Sequence, residues 1–144
     1  MERSRNPQYT PGFIFDSDLN KVLLVHKQKP DWQKGKINGI GGKYEGSETP
    51  EECIARETHE ESTLDIRKEL WVYVGTMHQT VGDVGILAAK YTGSANDAVK
   101  NDHEDIEWFD VSYLPSNVIS NLRWLVPLSL EKLEGKFRSF DVHN

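Results

Sequence analysis

Apolar runs of strand length alternate with two helix-forming segments in this sequence, which predicts an α/β domain built on a mixed β-sheet. One of those helices has an unusually clear start at residue 50. The 144 residues contain no internal repeat and no Pro/Gly/Ser-rich linker, so one domain is expected over residues 1–144. A domain of that size hides roughly two-thirds of the surface its unfolded chain exposes, enough for a real core.

Residues 8–15 read as a first strand and residues 16–20 as the turn that closes it. Residues 21–26 form a second strand, whose Val22-Leu23-Leu24-Val25 run suits burial on both faces. A basic loop follows over residues 27–36, then the glycine-rich segment Asn38-Gly39-Ile40-Gly41-Gly42. Thr49-Pro50-Glu51-Glu52 supplies an N-cap, a proline at the first helical position and a capping-box Glu at the third, so a helix is expected over residues 50–62. Strands are expected at 71–76 and 84–91, a polar loop at 92–103, and a short strand at 106–109. Residues 117–134 read as helical, with Pro127 kinking the helix or starting a new one and Gly135 as its C-terminal cap. Residues 136–142 read as a last strand.

Composition excludes several classes of function. Five Tyr, five Phe and four Trp are too many for a disordered chain. Seventeen basic against twenty-three acidic residues give a net charge of −6, which argues against a nucleic-acid polymer as partner. The longest apolar runs fall far short of the roughly 20 residues a membrane span needs, and the first residues lack the apolar stretch of a signal peptide. Cys53 is the one cysteine, so neither an intramolecular disulfide nor a cysteine zinc cage can form. These features lead us to expect a soluble, cytoplasmic protein without a membrane partner, monomeric or homodimeric.

The helix at 50–62 carries the chemistry. Glu57, Glu60 and Glu61 share one face at i, i+3 and i+4 and lie near the helix C-terminus, where the macrodipole disfavours anions. Carboxylates concentrated where they repel recruit a counter-ion, and hard oxygen ligands suit Mg2+ or Mn2+. A solvated acidic face is the alternative. The glycine segment just upstream, able to bring bare backbone against a ligand, favours metal-assisted phosphate chemistry.

In register, Gly42, Glu48, Arg56-Glu57, Glu60-Glu61 and Leu64 reproduce a signature that spans residues 42–64, and the chain thereby resembles the Nudix hydrolases. Thr58 replaces an apolar residue of that signature, and Thr63 replaces its final glycine, which serves a left-handed turn at the helix end. The resemblance implies an α/β/α sandwich with a mixed sheet, and hydrolysis of a nucleoside diphosphate linked to another group. It implies Mg2+ or Mn2+ held by Glu57 and Glu61, with Glu60 as ligand or base and the carbonyl of Gly41 as a further ligand. Arg56 and Glu48 would pair and orient Glu57. Family enzymes draw a further acid from a distant loop; Glu104 is the choice, with Asp102 and Asp105 as close rivals.

The segment from Asn38 to Lys43 resembles the one that precedes the signature in MutT-type enzymes, which clear oxidised purine nucleoside triphosphates such as 8-oxo-dGTP. There the Asn hydrogen-bonds the base and a Lys ending the second strand, here Lys27, lines the pocket. The likeness makes Asn38, Lys27, Lys43 and Asn121 the substrate-binding candidates, although mammalian members have paired Asp residues where this chain has Ser120 and Asn121. Residues 65–80 lack the Ser-Gln-Pro-Trp-Pro-Phe-Pro array of NADH-cleaving members. The expected activity is release of a monophosphate and pyrophosphate from a small nucleoside triphosphate. The alternatives are cleavage of another nucleotide conjugate, such as a nucleotide sugar, and a non-catalytic nucleotide-binding module.

Overall fold

In the computed structural model, which describes residues 7–80, 82–136, 138 and 140–143, the described strands join in one mixed sheet. β1 (Pro7–Phe15) lies at its centre, antiparallel to β2 (Lys21–His26) and β4 (Ile40–Lys43) and parallel to β6 (Gly82–Lys90). β2 also pairs antiparallel with β3 (Ile37–Asn38) and β7 (Ile106–Asp110). On the other side, β6 pairs antiparallel with β5 (Val72–Gln79), and β5 pairs parallel with β8 (Phe140–His143). Helix α1 (Pro50–Ser62) covers one face and α2 (Leu122–Leu133) the other, which gives the α/β/α sandwich.

Strand periodicity sorts the core into two clusters. Phe13, Phe15, Val22 and Leu24 face Leu122, Leu125 and Val126 of α2. Ile14, Leu23 and Val25 point the other way, to Ile54 of α1 and to Trp71. The unbroken Val22–Val25 run is thus a central strand buried on both faces.

Several boundaries differ from expectation, among them β6, which covers Gly82–Lys90 where a strand is expected at 84–91. β5 begins at Val72 and runs on to Gln79, because Trp71 turns into the α1-side core and donates its ring N–H to the Ile66 carbonyl at 3.3 Å. Helix α2 begins at Leu122 instead of residue 117. The Ile37 N–H donates to the Asn117 carbonyl, and the Ile119 N–H to the Ile37 carbonyl, so these residues extend the sheet. Pro127 stays inside α2 on its exposed face, where water can satisfy the carbonyl one turn back, while Leu125, Val126 and Ser129 hold the other face. Gly135 follows the helix end at φ 78°, the left-handed cap expected there. The expected last strand at 136–142 begins at Phe140 and ends at His143; residues 137 and 139 lie outside the described ones. Among the described residues no helix is long and apolar enough to cross a membrane.

α1 starts with the full capping box. The Glu52 N–H donates to Thr49 Oγ1 at 3.2 Å, and the Thr49 N–H to Glu52 Oε1 at 2.9 Å. It ends at Thr63, held left-handed at φ 63° and ψ −2°. The loop after β6 docks on this end: Val99 and Asn101 donate N–H bonds to the carbonyls of Ser62 and Glu61.

Two stability predictions follow from the positions that depart from the signature. A β-branched residue in the left-handed region costs about 1–2 kcal/mol, partly offset here because Thr63 Oγ1 donates to the Ser62 carbonyl at 2.5 Å. Thr63→Gly is therefore expected to raise stability by about 1 kcal/mol in urea titration, and an unchanged or lower midpoint would contradict this. Thr58 is buried and its hydroxyl has no partner among the described residues. Thr58→Val removes that unmet group at nearly constant shape and should also gain about 1 kcal/mol, read as a higher melting temperature.

Candidate active site

Arg56 organises the acidic face of α1. Its Nε and Nη2 donate to the two oxygens of Glu48 at 2.7 and 2.9 Å, a bidentate fork, and Nη2 also donates to the Lys43 carbonyl at 3.1 Å. Nη1 reaches Glu57 Oε1 at 3.0 Å and Glu60 Oε2 at 3.2 Å. One guanidinium thus ties the end of β4, the loop at 44–49 and two carboxylates of the helix. The Arg56 bonds hold Glu48 below the ordinary carboxylate range, and Glu48 above all keeps Arg56 charged.

The three glutamates sit in three different environments. Glu60 is half exposed beside Arg56. Glu57 is largely buried against Gly42, where a Cβ would collide with its carboxyl group, and burial raises its pKa despite Arg56. Glu61 is buried and accepts the Gly41 N–H at 3.2 Å; burial first, and then the negative charge of Glu57, pushes its pKa up to about 9. Gly41 in turn lies so close to β1 that any Cβ would strike the Thr10 carbonyl.

A cavity of about 480 Å3 opens beside this cluster. Asn38, Lys27, Lys43, Asn121, Gly41 and Gly42 all line it, so the structure gathers every substrate-binding candidate at one place. Lys27 Nζ donates to Glu104 Oε1 at 3.0 Å. Burial raises the Glu104 pKa, but the N–H groups of Gln28 and Lys29 and the Lys27 ammonium outweigh it and keep the carboxylate ionised. Its rivals are turned elsewhere: Asp105 pairs with Lys100 at 2.9 Å, and Asp102 with the neighbouring His103. Asn121 Nδ2 contacts Met77 Sδ at 3.9 Å.

Sequence reasoning missed Tyr9, Gln33 and Asp83, which also line the cavity. The Tyr9 hydroxyl is shut away from solvent without a partner among the described residues, and burial and then Glu61 hold it protonated. Asp83 is bonded to His78, which also bonds Asp141 at 2.9 Å and stacks on His143. No spacing rule announces these residues, because the sheet register alone brings them together. Among the tryptophans, Trp71 is core, whereas Trp32 lines the cavity and is 69% exposed.

The NUDIX domain profile matches residues 7–128, most of the chain. The chain belongs to the Nudix domain family. Curated relatives include an NAD-capped RNA hydrolase of Vibrio atlanticus, 31% identical over 102 residues covering 67% of this chain and 35% of that protein. An oxidized purine nucleoside triphosphate hydrolase of Danio rerio is 28% identical, covering 83% of this chain and 81% of that protein. The chain therefore spans about a third of the first relative's length but most of the second's. The crystal structure of an ADP-ribose pyrophosphatase from Streptococcus suis aligns with TM-score 0.72 at 18% identity, covering 96% of this chain and all of that one. At that identity the likeness establishes the Nudix fold alone.

Nudix hydrolases generally need divalent metal ions. Among the described residues, no three acidic, His or Cys groups converge closely enough to hold one by geometry alone; Glu57 and Glu60 are drawn to Arg56. The chemistry of the signature's donors nonetheless fits such an ion, because the carboxylates of Glu57, Glu60 and Glu61 are hard oxygen donors gathered on one face of α1.

The folded pKa of Glu61 lies above its unfolded value, so its proton stabilises the metal-free protein fully below the ordinary carboxylate range. That contribution is lost as pH rises toward about 9. A metal held by Glu61 would need its ionised form, so binding there at neutral pH would release a proton. The gain in melting temperature with Mg2+ should grow between about pH 6 and pH 9. Glu61→Gln should leave the metal-free fold as stable or more stable and abolish that pH-dependent gain. A gain independent of pH, or unchanged in Glu61→Gln, would remove Glu61 from the metal site.

Proposed function

We propose that this Nudix protein is a Mg2+- or Mn2+-dependent pyrophosphohydrolase that splits a purine nucleoside triphosphate, oxidised purines included, into a monophosphate and pyrophosphate. One observation carries the reading. A single cavity is lined by Asn38 and Lys27 and also by Gly41 and Gly42, the backbone neighbours of Glu61 and Glu57. A nucleotide in it can meet base-binding amides and the carboxylate cluster together.

The residues divide the work. Glu57 and Glu61, with the Gly41 carbonyl and Glu104, would hold the ion, which when bound neutralises pyrophosphate charge and lowers the pKa of water. Glu60 is more exposed than Glu57 and Glu61 and serves as a further ligand or accepts the proton of the attacking water. Arg56 and Glu48 fix the rotamer of Glu57. Lys27 and Lys43 offer cations to the anionic substrate, while Asn38 and Asn121 offer amides to its base. Retention of Glu57, Glu60 and Glu61 favours this reading over a non-catalytic nucleotide sensor.

A second reading, cleavage of an NAD-type conjugate or an NAD cap on RNA, is favoured by the names of several relatives near 30% identity. Against it stand the missing proline-rich array after the signature, over residues 65–80, and the net charge of −6. Purified protein with Mg2+ should be assayed against dGTP, 8-oxo-dGTP, dATP, pyrimidine triphosphates, NADH, ADP-ribose, a nucleotide sugar and NAD-capped RNA. We expect the highest kcat/KM among purine triphosphates, with pyrophosphate as the second product. Preferential cleavage of NADH or capped RNA would establish the second reading, and inertness toward every substrate would favour the sensor.

A further inference from the structure

The base-facing wall of the cavity contains an amide that the Nudix signature does not include. Gln33 is only 6% exposed and lines the cavity together with Asn38. Its backbone is fixed at both ends: its N–H donates to the Pro30 carbonyl at 2.8 Å, and its carbonyl accepts the Lys36 N–H at 2.8 Å. The loop that carries it is closed by further bonds, Lys27 N–H to the Lys36 carbonyl at 2.8 Å and Gly35 N–H to the Lys27 carbonyl at 3.1 Å. Gln33 is therefore preorganised.

Hydrogen bonds set the polarity of the wall. Asn38 Oδ1 accepts the Gly39 N–H at 2.8 Å, which fixes the orientation of that amide. Asn38 Nδ2 must then be the donor in its 3.0 Å bond to Gln33 Oε1. The oxygen end of Gln33 is thereby engaged, and among the described residues nothing accepts from its Nε2. Two N–H donors of Gln33 and the second N–H of Asn38 remain for a ligand. The wall is donor-rich where it faces the cavity.

Resting on the purine reading above, we propose that Gln33 is a specificity residue that selects purines bearing a carbonyl oxygen at position 6 over those bearing an amino group there. Guanine presents the O6 acceptor at that position, whereas adenine presents its N6 amino donors, which would oppose the Gln33 N–H groups. Asn38 acts through this contact as well as directly, because its Nδ2 bond turns the Gln33 amide toward the base.

Binding of monophosphates tests this without requiring turnover. Calorimetric affinities of dGMP, dIMP and dAMP should be compared for the wild type, Gln33→Leu and Gln33→Glu, with thermal melting as the check on folding. Wild type should bind dGMP and dIMP roughly tenfold or more tighter than dAMP. Gln33→Leu, which keeps bulk but removes the donors, should bring the three together. The nearly isosteric Gln33→Glu keeps an acceptor for Asn38 but offers the ligand an acceptor, so it should shift the ratio toward dAMP. The same ratio in wild type and both variants, or no preference in the wild type, would overturn the assignment. A Gln33-dependent preference in a protein that cleaves no purine triphosphate would instead refute the proposed activity and leave the specificity residue standing.

Discussion

The Arg56 guanidinium is the point on which the acidic site rests. It donates to Glu48, Glu57, Glu60 and the Lys43 carbonyl, and so ties strand, loop and helix together. Without a fixed cation, the Glu57 and Glu60 carboxylates near the end of one helix would repel each other and oppose its dipole. Lysine could not replace it: only a planar fork can take Glu48 with two nitrogens and still present a third to the helix. The close packing of Gly42 under Glu57 needs the same fixed geometry.

Glu61 shows the opposite strategy. It is buried instead of neutralised and accepts the backbone N–H of Gly41, and burial pushes its pKa up to about 9, so its proton stays on at neutral pH. The nearby Tyr9 hydroxyl lacks a partner among the described residues. Buried polar groups without partners are rare in folded proteins, and the Tyr9 hydroxyl together with the buried Glu61 carboxyl marks a region shaped for a ligand more than for stability. Thr58 and Thr63, at the core-facing side and the end of the same helix, add local costs without bearing on the charged groups.

The cavity wall is assembled from distant parts of the chain. β1 supplies Tyr9, the loop after β2 supplies Gln33, the hairpin of β5 and β6 supplies Asp83, and Asn121 lies at the start of α2. The Lys27–Glu104 pair bridges 77 positions of sequence. Such a wall can be changed residue by residue while the helix that carries the carboxylates stays constant, which is how one fold comes to accept many nucleotides.

The amino-acid sequence alone determined the helix that carries the site, its capping box and the face shared by Glu57, Glu60 and Glu61. Helical spacing is a local property, independent of what packs around it. It also determined most strands, since apolar runs of strand length between turn residues are visible in one dimension. The sequence did not disclose that residues 117–119 bridge to the sheet, because their pairing partner Ile37 lies some eighty positions away and its hydrogen bonds outweigh helix propensity. Nor did it disclose the burial of Glu61, the bonds that engage Glu104, or the place of Gln33 beside Asn38. Those depend on sheet register and loop closure, which only the tertiary structure decides, because burial and electrostatics belong to the neighbours a residue acquires in space.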